Sequence, residues 1–324
     1  MYYYLIVFAL LFVAELIYFK IANSYNIIDK PNERSSHTRI TLRGGGVIFY
    51  FGALAYFLTN DLGYPWFMLG LTLITAISFV DDVRPVSQKI RLVFHFTAMA
   101  VMFWQWGLTD LPWWYMLVAL IVCTGIINAY NFMDGINGIT GGYSLVLLCA
   151  LAYINASIVP FVEAKLIYTS IAAVLVFNFF NFRKRAKCFA GDVGAVSIAF
   201  IVLFALARLI LVTGDWTYLF FLAVYGADSI MTIVHRIYLR ENIFLPHRKH
   251  VYQLMANELH IPHTVVSSIY IALQFVISAG LIWLPMNNVL YCAIIFILLI
   301  VVYVAFIKRF YHLYGLATKK ITKE

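Results

Sequence analysis

Long apolar runs broken by short polar segments make up most of the chain. They lie at 2–19, 46–59, 66–80, 90–106, 113–130, 143–159, 163–180, 195–213, 217–233, 264–284 and 288–307. A helix needs about 20 mostly apolar residues to cross the hydrocarbon core of a bilayer. Only helices and closed barrels satisfy their backbones in lipid, and these runs are too long for barrel strands. The pattern predicts an all-α polytopic membrane protein with about eleven transmembrane helices, built as one integral membrane domain over residues 1–324. The run at 46–59 is short, and neighbouring glycines would have to extend it. The first run lacks a basic leader and a small-residue cleavage site, so it reads as a span and not as a signal peptide.

Composition agrees with this pattern. Hydrophobic residues make up 63% of the chain and charged residues 12%, against about 25% charged in soluble domains. The distribution of cations then orients the spans. With the N-terminus outside, all of the 23 Lys and Arg except Lys165 and Arg208 fall in inward segments. The positive-inside rule therefore places the N-terminus outside and the C-terminus in the cytoplasm. The net charge of +8 is accounted for by topology, and no nucleic acid is implied. Four scattered cysteines (Cys123, Cys149, Cys188, Cys292) form neither a disulfide framework nor a zinc pattern. No phosphate-binding G-x-x-x-x-G-K-[ST] loop occurs, which argues against ATP hydrolysis. The aromatic share of 17% fits interface belts.

Acids are few, so their positions are informative. Asp81 and Asp82 end the third run. Asp134 follows the fifth in Asn128-Ala-Tyr-Asn-Phe-Met-Asp-Gly-Ile-Asn-Gly138. Asp192 lies in Phe189-Ala-Gly-Asp-Val-Gly194, and Asp228 sits near the inward end of the ninth. All five map to one face. A single acid at a helix end is commonly solvated or caps the next helix. Five beside glycines and asparagines point instead to a site, because ionisable groups at a membrane edge are costly. Hard oxygen ligands of this kind suit Mg²⁺, which takes one or two carboxylates plus substrate phosphates and water. Adjacent carboxylates need a cation or a proton between them. Cations accompany them: Lys89 and Arg91, then Arg34, His37 and Arg43, then His247, Arg248 and His250. For most lysines topology suffices as an explanation. For the arginines, phosphate contact fits the guanidinium fork, and the histidines do not make a zinc set.

Four blocks carry a resemblance: Asp81-Asp82 with Lys89-Ile-Arg91, residues 128–138, Gly191-Asp192-Val-Gly194, and Arg248-Lys-His250. Over essentially its whole length the chain resembles the polyprenyl-phosphate N-acetylhexosamine-1-phosphate transferases, in their surface-polysaccharide branch. The resemblance implies Mg²⁺-dependent transfer of a sugar-1-phosphate from a UDP-N-acetylhexosamine to undecaprenyl phosphate with release of UMP, Mn²⁺ being the alternative metal. It implies that Asp192 and Asn131 ligate the metal and that Asp81 or Asp82 deprotonates or positions the lipid phosphate. Asp134 falls in the nucleotide-side loop and joins the Asp pair and His250 as a catalytic candidate. Arg91 and His250 hold phosphates, Asn137 lies by the uracil, and Lys89, Asn128, Arg43 and Arg248 complete the substrate contacts. The implied setting is the bacterial cytoplasmic membrane, with the active site on its inner face, and a homodimer is compatible with it. Two positions depart from the family pattern. Many members carry Asp where Asn137 stands, and others read His-x-His-His where this chain has His250-Val-Tyr-Gln253.

Two other classes compete. A transporter would use Asp228 and Asp134 as coupling carboxylates, but transporters place such charges near the midplane within repeated halves, and no repeat is visible here. A silent scaffold for glycan assembly would need neither the Asp pair nor the Gly-Asp-x-Gly loop.

Overall fold

The computed structural model describes residues 2–31, 36–37, 39–243, 245 and 247–313. Arg34 lies outside the described residues, as do Lys319, Lys320 and Lys323 in the tail. The helices are α1 (Tyr2–Ser24), α2 (Val47–Thr59), α3 (Pro65–Val83), α4 (Gln88–Trp106), α5 (Trp113–Met133) and α6 (Ile139–Ser157), followed by α7 (Ala164–Asn181), α8 (Gly191–Thr213), α9 (Ala223–Tyr238), the single turn α10 (Val251–Gln253), α11 (His263–Trp283) and α12 (Asn288–Arg309). Two short strands, β1 (Ile28–Asp29) and β2 (Thr41–Leu42), pair antiparallel after α1.

Among the described residues, nine helical segments are long and apolar enough to span a bilayer. They are α1, α3, α5, α6, α7, α8, α11, α12 and the segment Trp216–Tyr238, in which a 3₁₀ stretch runs into α9. The protein is therefore a multi-pass membrane protein of helices with almost no sheet. The two remaining runs read from the sequence fall outside these nine. The run at 46–59 forms α2, whose 13 residues rise only about 20 Å. The run at 90–106 lies in α4, whose first turn carries Gln88, Lys89 and Arg91.

Helix α8 sits at the centre. It is apolar on every side from Val193 to Leu206 and buried along that whole stretch, as expected of a helix with no face for solvent. Helices α2, α3, α5 and α6 pack around it. Close approach at one end depends on two glycines. A methyl group added at Gly46 would overlap the Gly194 Cα, and one at Gly194 would lie 2.6 Å from the Gly46 Cα. Gly46→Ala is accordingly expected to push α2 off α8 and lower the melting temperature of the purified protein, overpacking typically costing about 1–3 kcal/mol. Gly226→Ala, where nothing lies within 4 Å of the added carbon, is expected to leave the melting temperature unchanged or higher. Equal melting of the two variants would show that the contact tolerates separation.

Candidate active site

The site is assembled where the loop after α1, the end of α3 and the start of α8 meet. Residues 42–46 are laced to residues 188–190 through backbone bonds: Phe189 N–H to the Leu42 carbonyl (2.8 Å), Gly45 N–H to Phe189 (2.9 Å) and Gly46 N–H to Ala190 (3.1 Å). The Tyr18 hydroxyl donates to the Arg43 carbonyl at 2.6 Å. Behind this loop the fully buried Glu15 side chain accepts from the Cys188 thiol at 3.5 Å. Helix α1 thus braces the loop that carries Arg43.

Gly191 opens α8 with φ +71°, and any side chain there would run into the Asp82 carboxylate. The left-handed turn aims the first amides of α8 at Asp82, which accepts from Asp192 N–H (2.9 Å) and Val193 N–H (3.0 Å). A carboxylate at the last turn of its own helix is placed against the dipole. Here the N-terminus of a second helix, short of partners for its own amides, offsets that. The Asp82 side chain has 0% exposure, and its third partner is Arg43 Nε at 2.6 Å. Its oxygens are therefore committed to holding α3, α8 and Arg43 together.

The charges alternate from there. Arg43 reaches Asp192 Oδ1 at 3.3 Å, Arg91 reaches Asp192 Oδ2 at 3.4 Å, and Arg91 also binds Asp81 at 2.7 Å. Asp81 accepts the Val86 amide at 2.7 Å and so closes the turn between α3 and α4. Three carboxylates and two guanidiniums leave one net negative charge in this chain of contacts. Asp192 stands in the middle, holds the two longest of the ion pairs and keeps 17% exposure. Burial works against the charge on Arg43, but Asp82 and Asp192 outweigh it and raise its pKa.

Asp192 and Arg43 open into a cleft of about 290 Å³ that Asn131, Asp134, Asn137 and Asn181 also line. Asp134 follows the last turn of α5 and accepts from the Thr140 hydroxyl at 2.7 Å. Burial pushes its carboxyl up to about 7. The Thr140 bond opposes that, and the nearby Asp192 and Asp82 add to it. Asn137 turns its amide nitrogen to the Arg183 carbonyl (2.9 Å), and its own backbone carbonyl accepts from Ser267 (2.8 Å). Asn181 bridges two loops, accepting from Gly138 N–H at 2.7 Å and donating to the Cys188 carbonyl at 2.8 Å.

A second group forms around Asp228 in α9. Its carboxylate accepts from Val251 N–H (2.9 Å), Tyr252 N–H (3.3 Å) and the Tyr270 hydroxyl (2.7 Å), and it lies 3.3 Å from His250 Nδ1. Asp228 therefore caps α10 and orients His250. Arg236, on the same helix, has other partners: it pairs with Glu241 at 3.2 Å and binds the carbonyls of Asn242, Ile243 and Leu245. Arg248 pairs with Glu258, and Lys249 with Glu241. Burial, and behind it the neighbouring His250, lower the His247 pKa to about 3, which leaves that ring neutral at pH 7.

Of the residues singled out from sequence, His37, Arg43, Asn131, Asp134, Asn137 and Asp192 line the cleft. Asp81, Asp82 and Arg91 join it through the ion-pair chain. His250 and Arg248 are buried beside α9 and do not line it. Lys89 is exposed on the first turn of α4. Asn128 faces an apolar groove between α5 and α9. Sequence reasoning missed Asn181 as the link between loops, and Gln253, His263, Phe189 and Asp29 as lining residues. Gln253 stands within one of the two blocks where the family pattern differs. It reaches the cleft and also accepts from His250 N–H at 3.3 Å. For Asn181, 43 residues from its Gly138 partner, no sequence signal existed.

Comparisons with known proteins return one family and several relatives. The family described as glycosyl transferase family 4 matches residues 64–210. A probable undecaprenyl-phosphate N-acetylglucosaminyl 1-phosphate transferase of Bacillus subtilis is 28% identical over 308 residues, 87% of this chain and 84% of that protein. Undecaprenyl-phosphate alpha-N-acetylglucosaminyl 1-phosphate transferases of Yersinia pestis and Escherichia coli K12 are each 28% identical, over 78% and 73% of this chain and 75% and 71% of their own length. The matched segment contains the Asp pair, the Asn-rich block and the Gly-Asp-x-Gly turn that build the cleft, and over most of its length the chain is similar to these undecaprenyl-phosphate sugar-1-phosphate transferases.

Proposed function

We propose that this protein transfers an N-acetylhexosamine-1-phosphate from a UDP-sugar to undecaprenyl phosphate, releasing UMP, as the first step of a lipid-linked surface polysaccharide. The observation that carries the reading is the cleft at the span ends, where Asp192, Asn131 and Asp134 face one space with Arg43. The positive-inside distribution supports a cytoplasmic placement of this face in a bacterial inner membrane. A soluble nucleotide and a lipid phosphate meet only at such a surface.

The donor set fits Mg²⁺. Among the described residues no three His, Cys, Asp or Glu groups converge on one point. One carboxylate (Asp192) and one amide (Asn131) would leave the other coordination positions to phosphate oxygens and water, which is how Mg²⁺ binds in phosphoryl-transfer sites. Bound there, the ion would neutralise charge developing on the diphosphate. Arg43 and Arg91 hold Asp192 from both sides and so fix the carboxylate the metal would use. Asp134, with its pKa near 7, is poised to take a proton from the acceptor phosphate near neutral pH. On the lipid side, the last turns of α5 present Asn131 to the cleft and Asn128 and Phe132 to the groove of about 400 Å³ against α9. That groove suits the polyprenyl chain and brings its phosphate to the cleft. Carboxylates gathered at span ends do not favour a transporter.

Purified protein given Mg²⁺, undecaprenyl phosphate and a panel of UDP-N-acetylhexosamines is expected to release UMP with at least one donor and to stop on addition of EDTA. No turnover across the panel would overturn the reading. Turnover unaffected by EDTA would overturn the metal assignment alone.

A further inference from the structure

A second opening of about 670 Å³ adjoins the cleft. Ser36, His37, Asn137, Phe189 and His263 line both, so the two spaces are continuous. Their charge differs in sign. Asp29, Asp134 and Asp192 line the inner cleft with Arg43, whereas among the described residues no carboxylate lines the outer opening, which carries Arg39, Lys184, Arg185 and Lys187. All four cations are exposed, and none makes an ion pair among the described residues. Their loop is held in place: Asn137, which faces the cleft, donates to the carbonyls of Arg183 (2.9 Å) and Lys184 (3.5 Å).

Topology explains why Lys and Arg lie on this side of the membrane. It does not explain why four of them surround an opening that leads into the cleft, with the acids among the described lining residues kept to the inner side. Walls of one charge sign around a cleft focus the field and raise the local concentration and association rate of an oppositely charged ligand by about 10- to 10³-fold. The inner carboxylates would repel a diphosphate arriving without its cation, so capture has to occur ahead of them. We propose that Arg39, Lys184, Arg185 and Lys187 form a docking vestibule that captures the phosphates of the nucleotide donor before it moves into the cleft. The identity of the donor rests on the transferase reading. Capture of a nucleoside diphosphate by the vestibule does not.

The test uses the full chain in neutral phosphatidylcholine nanodiscs, as wild type and as the triple variant Lys184→Gln, Arg185→Gln, Lys187→Gln. At low salt the variant is expected to show a donor KM raised about tenfold with kcat within about twofold, since steering acts on encounter. The wild-type KM should climb with ionic strength, and that of the variant should stay nearly flat. Calorimetric titration should show weaker binding of UDP and unchanged binding of uridine. Unchanged KM and UDP affinity would overturn the proposal, as would an equal loss for UDP and uridine, which would report a collapsed cleft. In a second set of nanodiscs containing phosphatidylglycerol, loss of bound phosphatidylglycerol in the variant with an unchanged donor KM would make these side chains lipid anchors, and would overturn it too. If the wild type turned over no donor, the transferase reading would fall, and the UDP titration would still decide the vestibule.

Discussion

Asp192→Asn is expected to reduce UMP release by about a thousandfold or more while leaving the fold intact. The size follows from what the carboxylate would supply. A metal ion on the transferring phosphates is worth several kcal/mol of charge stabilisation, and each 1.36 kcal/mol is a factor of ten in rate. The sparing of the fold follows from the contacts. Among the described residues the Asp192 side chain forms ion pairs with Arg43 and Arg91, at 3.3 and 3.4 Å, and each guanidinium keeps a shorter partner in Asp82 or Asp81. The helix cap uses the Asp192 backbone amide, which the substitution retains. Mn²⁺ binding followed by electron paramagnetic resonance should weaken in parallel with activity, and the melting temperature should hold. Activity near wild type would remove Asp192 from the metal site.

Asp82→Ala is expected to act in the opposite order, on the fold first. The substitution removes the fully buried acceptor of two α8 amides and of Arg43 Nε, leaving the half-buried guanidinium only its longer contact to Asp192. Removing one partner of a buried ion pair typically costs about 3–5 kcal/mol, so a large drop in melting temperature is expected, together with lost activity. Asp82→Asn, whose side-chain oxygen can still accept one of the amides, should fall between. A catalytic base at this position would behave differently: turnover would vanish and melting would not move. That outcome would refute the structural assignment of Asp82 and restore the base role the family resemblance allows for it.

The two aspartates are neighbours in other respects as well, and this shows where sequence reasoning stops. Asp82 and Asp192 both stand at helix ends beside polar residues, and each belongs to a recognisable block. What separates them is the left-handed turn at Gly191, which points the α8 amides at one carboxylate and leaves the other facing the cleft. Asp228 makes the same point. Its position in a span marked it as costly and therefore purposeful, yet apart from Thr232 on its own helix the partners named above lie 22 to 42 residues away, at the start of α10 and in α11. The basic run at 183–187 satisfies the positive-inside rule as sequence, and the fold places its loop at the opening beside the cleft.

The sequence by itself determined the solvent this chain folds in, the helical class, and which blocks carry the chemistry. Run length, charge scarcity and motif content are local properties, and the bilayer enforces helices on any chain that has them. The tertiary structure alone decided how many helices reach spanning length, and which carboxylates are spent on holding the site and which are left to work in it. Those outcomes depend on contacts between residues as many as 149 positions apart, such as Arg43 with Asp192, and no local pattern encodes which of several identical side chains will meet a helix terminus.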